Sequence, residues 1–250
     1  MAGLTLDDVP AARLAERWGA PQAGLFRSLP SVLDAVHDLA AQDAPAGTLV
    51  LAVEQTAGRG RDGRTWRSPA GGVWLGLLLR PGDGALGSTP IRAALAVADA
   101  VDGLVGRPAA RLKWPNDVLL LDRKVAGILC EARWHGTAVR WLAVGVGVNL
   151  ANDIPAELAE RAVAVREVRS GVRRIDLLDR LVPDLLRRTA DGGPLTERER
   201  AAFAARDWLR GRLLRRPVFG RAAGVGPDGA LLVDADAGAV TVRAGHVELA

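Results

Sequence analysis

The sequence predicts an α+β protein built on one mixed sheet, and three observations lead there. Between residues 111 and 150 four apolar, β-rich runs follow one another with only short turns between them, which a strict βαβ repeat would not do. Helical apolar spacing is instead grouped, at 91–104 and beyond 152. Finally, 250 residues, 49% hydrophobic and 25% charged, suffice to bury one large core with a small appendage.

The elements follow in order. Thr5 is placed to cap a first helix over 5–18, ended by Gly19 and Pro21, and "GLFRSL" reads as a short strand. Ser31, with Asp34 at the capping-box spacing, starts a helix through 41. "TLVLAVE" (48–54) and "VWLGLLL" (73–79) are strands, joined by a loop rich in glycine and arginine. After "RPGDGALGSTP" an alanine-rich helix over 91–104 is apolar enough to pack on a sheet. "RLKW", "DVLLL", "KVAGILCEARW" and "AVRWLAVGVGVNL" are four strands with turns at "PN", "DR" and "HG". Two helices follow, over 175–189 and 196–210, separated by "ADGGP". From 212 onward, short β-rich runs broken at "GPDG", "DAG" and "AG" have the grammar of a small barrel of roughly 40 residues, too small to be stable unless docked on the main domain.

Composition removes several classes of function. The N-terminus lacks the basic, apolar and small-residue zones of an export signal, and no run of about 18 apolar residues occurs, so a cytoplasmic protein without a membrane span is expected. The single cysteine, Cys130, is expected to fill a core strand. The net charge of +4 is spread along the chain among 29 acidic residues and does not by itself indicate nucleic acid. Arginine supplies nearly all the positive charge, so the two lysines, Lys113 and Lys124, mark places where a compact ammonium is wanted.

The loop "EQTAGRGRDGRTW" (54–66) works against stability unless it meets an anion, because glycines lose much freedom on folding and Arg59, Arg61 and Arg64 repel one another. Ordering the six residues of "GRGRDG" costs roughly 6 to 12 kcal/mol, and each charge-assisted hydrogen bond returns roughly 1.5 to 3. A lid that is mobile when empty and folds over an anionic ligand follows. Gly58, Gly60 and Gly63 satisfy G-x-G-x-x-G, but Pro69, Gly71 and Gly72 prevent the helix a dinucleotide fingerprint must open. No P-loop surrounds Lys124, the three histidines are isolated in sequence, and no G-x-S-x-G occurs.

"EQTAGRGRDGRTWRSPAGGVWLGLLLRP", "KWPNDVLLLDRKVAGIL" and "GVGVNL", in that order and spacing, resemble the biotin protein ligases over residues 25–150. The resemblance implies a catalytic domain of class II synthetase type over 1–205 and an SH3-like barrel over 206–250. It implies a two-step reaction: biotin and ATP form biotinyl-5′-adenylate, and the biotinyl group passes to a lysine of a biotin carboxyl carrier protein. It places Ser31, Gln55, Gly58, Arg59, Gly60, Arg61 and Lys124 at biotin, with Lys124, Arg59 and Arg61 catalytic. Arg64, Trp66, Asn116 and Asn149 are placed at ATP, and Asp117 at Mg²⁺. It also allows a homodimer through paired sheet edges. Such clustered cations suit the chemistry, because joining a carboxylate to an α-phosphate brings two anions together.

Two departures qualify the resemblance. The family's usual Ser-Thr-Asn is here Ser31-Val32-Leu33, which removes a hydroxyl and an amide from what the resemblance implies is the ureido end of the site. Either biotin binding weaker by about 1–3 kcal/mol or a shift toward a less polar acyl group is expected. A lipoate or octanoate ligase of the same fold is therefore the nearest enzymatic alternative. About 25 residues precede the first motif strand, too few for a winged-helix domain, so no specific nucleic-acid binding is expected. A basic nucleic-acid-binding module using "GRGRDGR" as an arm is the non-enzymatic alternative; it predicts steeply salt-dependent affinity.

Overall fold

Strand alternation assigns the two faces of the central sheet. In the computed structural model, which describes residues 3–80, 86–190 and 192–250, every residue of β5 (Val73–Leu79) is buried, so both faces are covered. Trp74 and Leu78 point into one core with Val32, Leu33 and Val36 of helix α2 (Val32–Ala41). Val73, Leu75, Leu77 and Leu79 join the larger core with α3 (Thr89–Val105) and α4 (Arg174–Ala190). Part of the connection before α3, residues 81–85, lies outside the described residues.

Seven strands form the sheet in the order β3-β4-β5-β9-β8-β7-β6. They are β3 (Ala23–Leu29), β4 (Leu49–Gln55), β5, β6 (Arg111–Lys113), β7 (Asp117–Leu120), β8 (Arg123–His135) and β9 (Ala138–Val148). β3 and β4 are parallel, as the intervening α2 crossover permits, and the other neighbours are antiparallel. This is the mixed α+β sheet expected. Cys130 packs against the larger core, where burial pushes its thiol up to about 12 and makes a thiolate role ineffective.

Two expected elements are corrected. Residues 5–18 are not one helix: β1 (Thr5–Leu6) and β2 (Val9–Pro10) pair across a tight turn, and only α1 (Leu14–Trp18) is α-helical. Asp7 and Asp8 take φ of 46° and 74°, which a right-handed helix excludes. Asp7 then accepts a hydrogen bond from the Ile175 N–H in the first turn of α4 and pairs with Arg174. At the other end, α5 (Glu197–Arg206) begins with the capping box of Thr196 and Glu199 but stops before 210. Asp207 leaves the helix at ψ 112° because the chain there pairs with Leu112 of β6.

The tail forms an antiparallel sheet of β10 (Leu213–Arg216), β11 (Gly220–Val225), β12 (Leu231–Ala235), β13 (Gly238–Val242) and β14 (Glu248–Leu249). Its order is β13-β12-β11-β10-β14, and among the described residues no pairing joins β13 to β14, so the sheet is open where a closed barrel was expected. Leu214, Leu231 and Val233 share a core with Phe203 and Leu209, and the Trp114 indole N–H donates to Gly229 O at 2.9 Å. A unit this small gains its stability by docking. Among the described residues no helix is long and apolar enough to cross a membrane.

Arg92, on the buried face of α3, holds α5 in place. Its side chain is 6% exposed, and its Nε lies 2.7 Å from Glu199 Oε1. Two further bonds reach Gly193 O and Pro194 O. Burial alone would raise the Glu199 pKa; hydrogen bonds from Arg92 and Thr196 outweigh it and hold the carboxyl below its ordinary range. Arg92→Ala removes the charge partner of that carboxylate and leaves it, among the described residues, only Thr196. It is expected to cost about 3 kcal/mol in guanidinium unfolding at neutral pH. Glu199 has a depressed folded pKa, so its contribution is present above the unfolded value and lost as pH falls through the folded one. The difference between wild type and variant therefore narrows on acidification.

Candidate active site

β9 tapers along the face it shares with α2. Its inward residues run Trp141, Ala143, Gly145, Gly147, from the largest side chain to none. Their partners on β8 are Glu131 opposite Ala143, Leu129 opposite Gly145 and Gly127 opposite Gly147. Where the side chains vanish, a cavity of about 510 Å³ opens over the sheet. Trp66 lies on this glycine floor: a Cβ at Gly147 would stand 2.6 Å from the indole nitrogen, and one at Gly127 would stand 3.3 Å from the ring. Glycines alternating in a strand signal such close approach.

The glycine- and arginine-rich loop covers the cavity as a hairpin. Trp66 N–H donates to Gly58 O at 2.9 Å, and Gly60 N–H to Arg64 O at 2.7 Å. Its base is tied down through Gln55, whose Oε1 accepts from Val32 N–H at 2.8 Å and whose Nε2 donates to Ser68 Oγ at 2.7 Å. Gly58 is buried but does not line the cavity; a Cβ there would stand 2.4 Å from Trp66 O, so this glycine lets the hairpin close.

Around the cavity stand Ser31, Gln55, Arg59, Gly60, Arg61, Arg64, Trp66, Asn116, Asp117, Lys124 and Asn149, every residue expected at the site except Gly58. Ser31 caps α2, its Oγ accepting from Leu33 N–H at 3.3 Å. Lys124 reaches from β8 to β7, with Nζ 2.6 Å from Asp117 Oδ1 and 4.9 Å from the centre of the Trp66 ring. Arg61 Nη1 makes long contacts of 3.5 Å with Asn116 Oδ1 and Gly245 O. Asn116 is fixed in turn by donating from Nδ2 to Ile128 O at 2.7 Å.

Arg59 is placed differently from its neighbours. Its guanidinium is paired with Asp34 at 2.7 Å and with Glu131 at 3.2 Å. Burial alone would raise the Glu131 pKa; hydrogen bonds from Arg59 and His37 prevail and hold it below the ordinary carboxylate range. Among the described residues no ion pair engages Arg61 or Arg64, so their charges face the cavity region uncompensated.

The wall carries seven Lys and Arg side chains against four Asp and Glu, which favours an anionic ligand. Among the described residues no group of three or more metal-ligating side chains occurs and Asp117 is paired with Lys124, so the cavity holds no all-protein cage for a divalent cation. Trp66 Nε1 is buried without a hydrogen-bond partner. Several wall residues escaped the sequence reading. Gly145 and Gly147 are legible as alternating glycines and Asn152, whose Nδ2 donates to Asn149 Oδ1 at 3.2 Å, as a rare asparagine, whereas Gly127 is a lone glycine on β8. Gly245, His246 and Val247 arrive from the tail, about 120 residues from Lys124 in sequence, and carried no signal.

Residues 26–149 match the model of the "Biotin/lipoate A/B protein ligase family". The chain is 41% identical over 219 residues to the biotin–[acetyl-CoA-carboxylase] ligase of Paracoccus denitrificans, covering 79% of this chain and 88% of that one. It is 35% identical over 237 residues to the bifunctional ligase/repressor BirA of Bacillus subtilis, covering 88% and 72%. The structure superposes on the biotin protein ligase of Aquifex aeolicus in complex with biotin and ATP with a TM-score of 0.75 at 25% identity, over 92% of this chain and 99% of that one. With glycine floor, arginine hairpin and Lys124 assembled on one cavity, and with relatives matched over most of their length, the chain belongs to the biotin/lipoate A/B protein ligase family, among its biotin protein ligases.

Proposed function

We propose that this protein joins biotin to ATP and transfers the biotinyl group to a lysine of a biotin carboxyl carrier protein. The observation that carries the reading is the meeting of Lys124, Arg61, Arg64 and Trp66 on one cavity although they come from the hairpin and from β8. In the first step a carboxylate oxygen of biotin attacks the α-phosphorus of ATP, the bond to the bridging oxygen breaks, and pyrophosphate leaves. Lys124, oriented by Asp117, offers an ammonium to the charge that builds on the α-phosphate, and Arg61 and Arg64 to the departing phosphates. In the second step the acceptor amine attacks the acyl carbon and AMP leaves. In this reading Gln55, Gly60, Ser31 and Arg59 border the acyl end, while Trp66, Asn116 and Asn149 border the nucleotide. Mg²⁺ would enter on the phosphates of ATP, and no step is assigned to it.

The hairpin's place above the cavity fits a lid over the adenylate. The same loop, folded back on itself, does not present an extended arm to nucleic acid. Residues 1–205 are read as the catalytic domain and 206–250 as an SH3-like domain, working in the cytoplasm. Val32 and Leu33, only 4% and 3% exposed, form an apolar first turn of α2 beside the acyl end. ATP–pyrophosphate exchange tests the reading with biotin, lipoate and octanoate supplied separately. Exchange with biotin alone is the expected result; exchange with lipoate or octanoate but not biotin would replace the substrate, and exchange with none would overturn the ligase.

A further inference from the structure

Trp141, deep in the α2 core, begins a chain of hydrogen bonds that ends in the hairpin. Its indole N–H donates to His37 Nδ1 at 2.8 Å. An indole nitrogen can only donate, so Nδ1 is the bare nitrogen of that ring and Nε2 carries the hydrogen. His37 Nε2 lies 3.0 Å from Glu131 Oε2 and donates to it. Glu131 receives Arg59 through both oxygens, Nε to Oε1 at 3.3 Å and Nη2 to Oε2 at 3.2 Å, and Arg59 Nη1 reaches Asp34 Oδ1 at 2.7 Å. The inner end is rigid: Trp141 is 5% exposed, and the His37 side chain 11%. A side-on, two-bond guanidinium–carboxylate pair fixes direction as well as distance.

We propose that Glu131 and His37 are positioning residues that latch the lid hairpin shut through Arg59, leaving Arg61 and Arg64 as the lid charges offered to the ligand. Neither Glu131 nor His37 lines the cavity, so both act on it through Arg59. The latch joins α2 to β8, and each also carries a wall of the cavity, Ser31 to Leu33 on one and Lys124 to Leu129 on the other. Opening the hairpin therefore requires release from both walls. The effect on the reaction rests on the ligase reading; the latch itself does not.

Hydrogen exchange of the full chain without ligand, followed by mass spectrometry, tests the latch. Glu131→Ala is expected to speed exchange across residues 58–66 by about 10-fold while β5 and β9 keep wild-type protection. His37→Ala moves the same segment in the same direction. Arg59→Ala combined with Glu131→Ala exchanges no faster than Arg59→Ala alone, because without the guanidinium Glu131 has no remaining hold on the hairpin. Exchange across 58–66 within about two-fold of wild type, or single effects that multiply in the double variant, would overturn the latch. Should Glu131→Ala loosen β5 and β9 as well, Glu131→Gln, which keeps one acceptor oxygen, decides by the same criterion. With ATP and biotin, Glu131→Ala is expected to raise KM for biotin about 10-fold with kcat within about two-fold. Faster exchange with unchanged KM would retain the latch and remove its part in binding, whereas absent turnover in the wild type would count against the ligase reading alone.

Discussion

Lys124→Ala is expected to lower biotin-dependent ATP–pyrophosphate exchange by about 10²- to 10³-fold, the usual loss when a donor aimed at developing charge is removed, which is the role proposed for this residue. The ammonium is held on two sides, 2.6 Å from Asp117 and 4.9 Å from the Trp66 ring centre, so its position is set before substrate arrives. Gly127 leaves little room beside it: a Cβ there would stand 3.1 Å from Lys124 Cε. Lys124→Arg is accordingly no rescue, since a planar fork cannot occupy the space of a compact ammonium. Biotin affinity, followed by calorimetry in the absence of ATP, changes far less than exchange. Exchange within ten-fold of wild type in Lys124→Ala would remove this residue from the chemistry.

Gly58→Ala is expected to disable the lid while the sheet stays folded. The added carbon would stand 2.4 Å from Trp66 O and 2.6 Å from Ser68 Oγ, both fixed parts of the hairpin base. Relieving that overlap costs about 1–3 kcal/mol and moves Trp66 off the glycine floor. A displacement near 1 Å at the site is worth about 10²-fold in kcat/KM, which is the expected loss. Gly60→Ala is the comparison, because its Cβ would meet Arg64 O only at 3.3 Å. A larger loss of kcat/KM in Gly60→Ala than in Gly58→Ala would show that close approach to ligand, not hairpin closure, governs Gly58.

Much of this was legible without coordinates, for identifiable reasons. β5 coincides with "VWLGLLL" because a strand buried on both faces is a continuous apolar run bounded by glycines and a polar turn. α2 and α5 begin where Ser31 and Thr196 supply caps, since capping is a local event that four residues can specify. The expected first helix fails because Thr5 looks like a cap, while the left-handed Asp7 is held by Arg174 and Ile175, more than 160 residues away. The end of α5 was misplaced for the same reason: Asp207 pairs with Leu112, a contact the helical pattern cannot register. The open tail sheet takes part of its core from Phe203 and Leu209, so its edges need not close on one another.

The order of residues alone settled most elements of the main sheet, its mixed character and the types of side chain available for joining two anions, because periodicity, capping and motif spacing are properties of short windows. Tertiary structure decided the employment of those side chains. Arg59, Arg61 and Arg64 are indistinguishable as neighbours in a loop, yet one is neutralised by Asp34 and Glu131 and the other two are left charged at a cavity. Gly58 and Gly60 likewise differ only in what stands across from them. Burial and charge pairing depend on distance in space, and distances across a sheet come from register and topology, which no window of sequence contains.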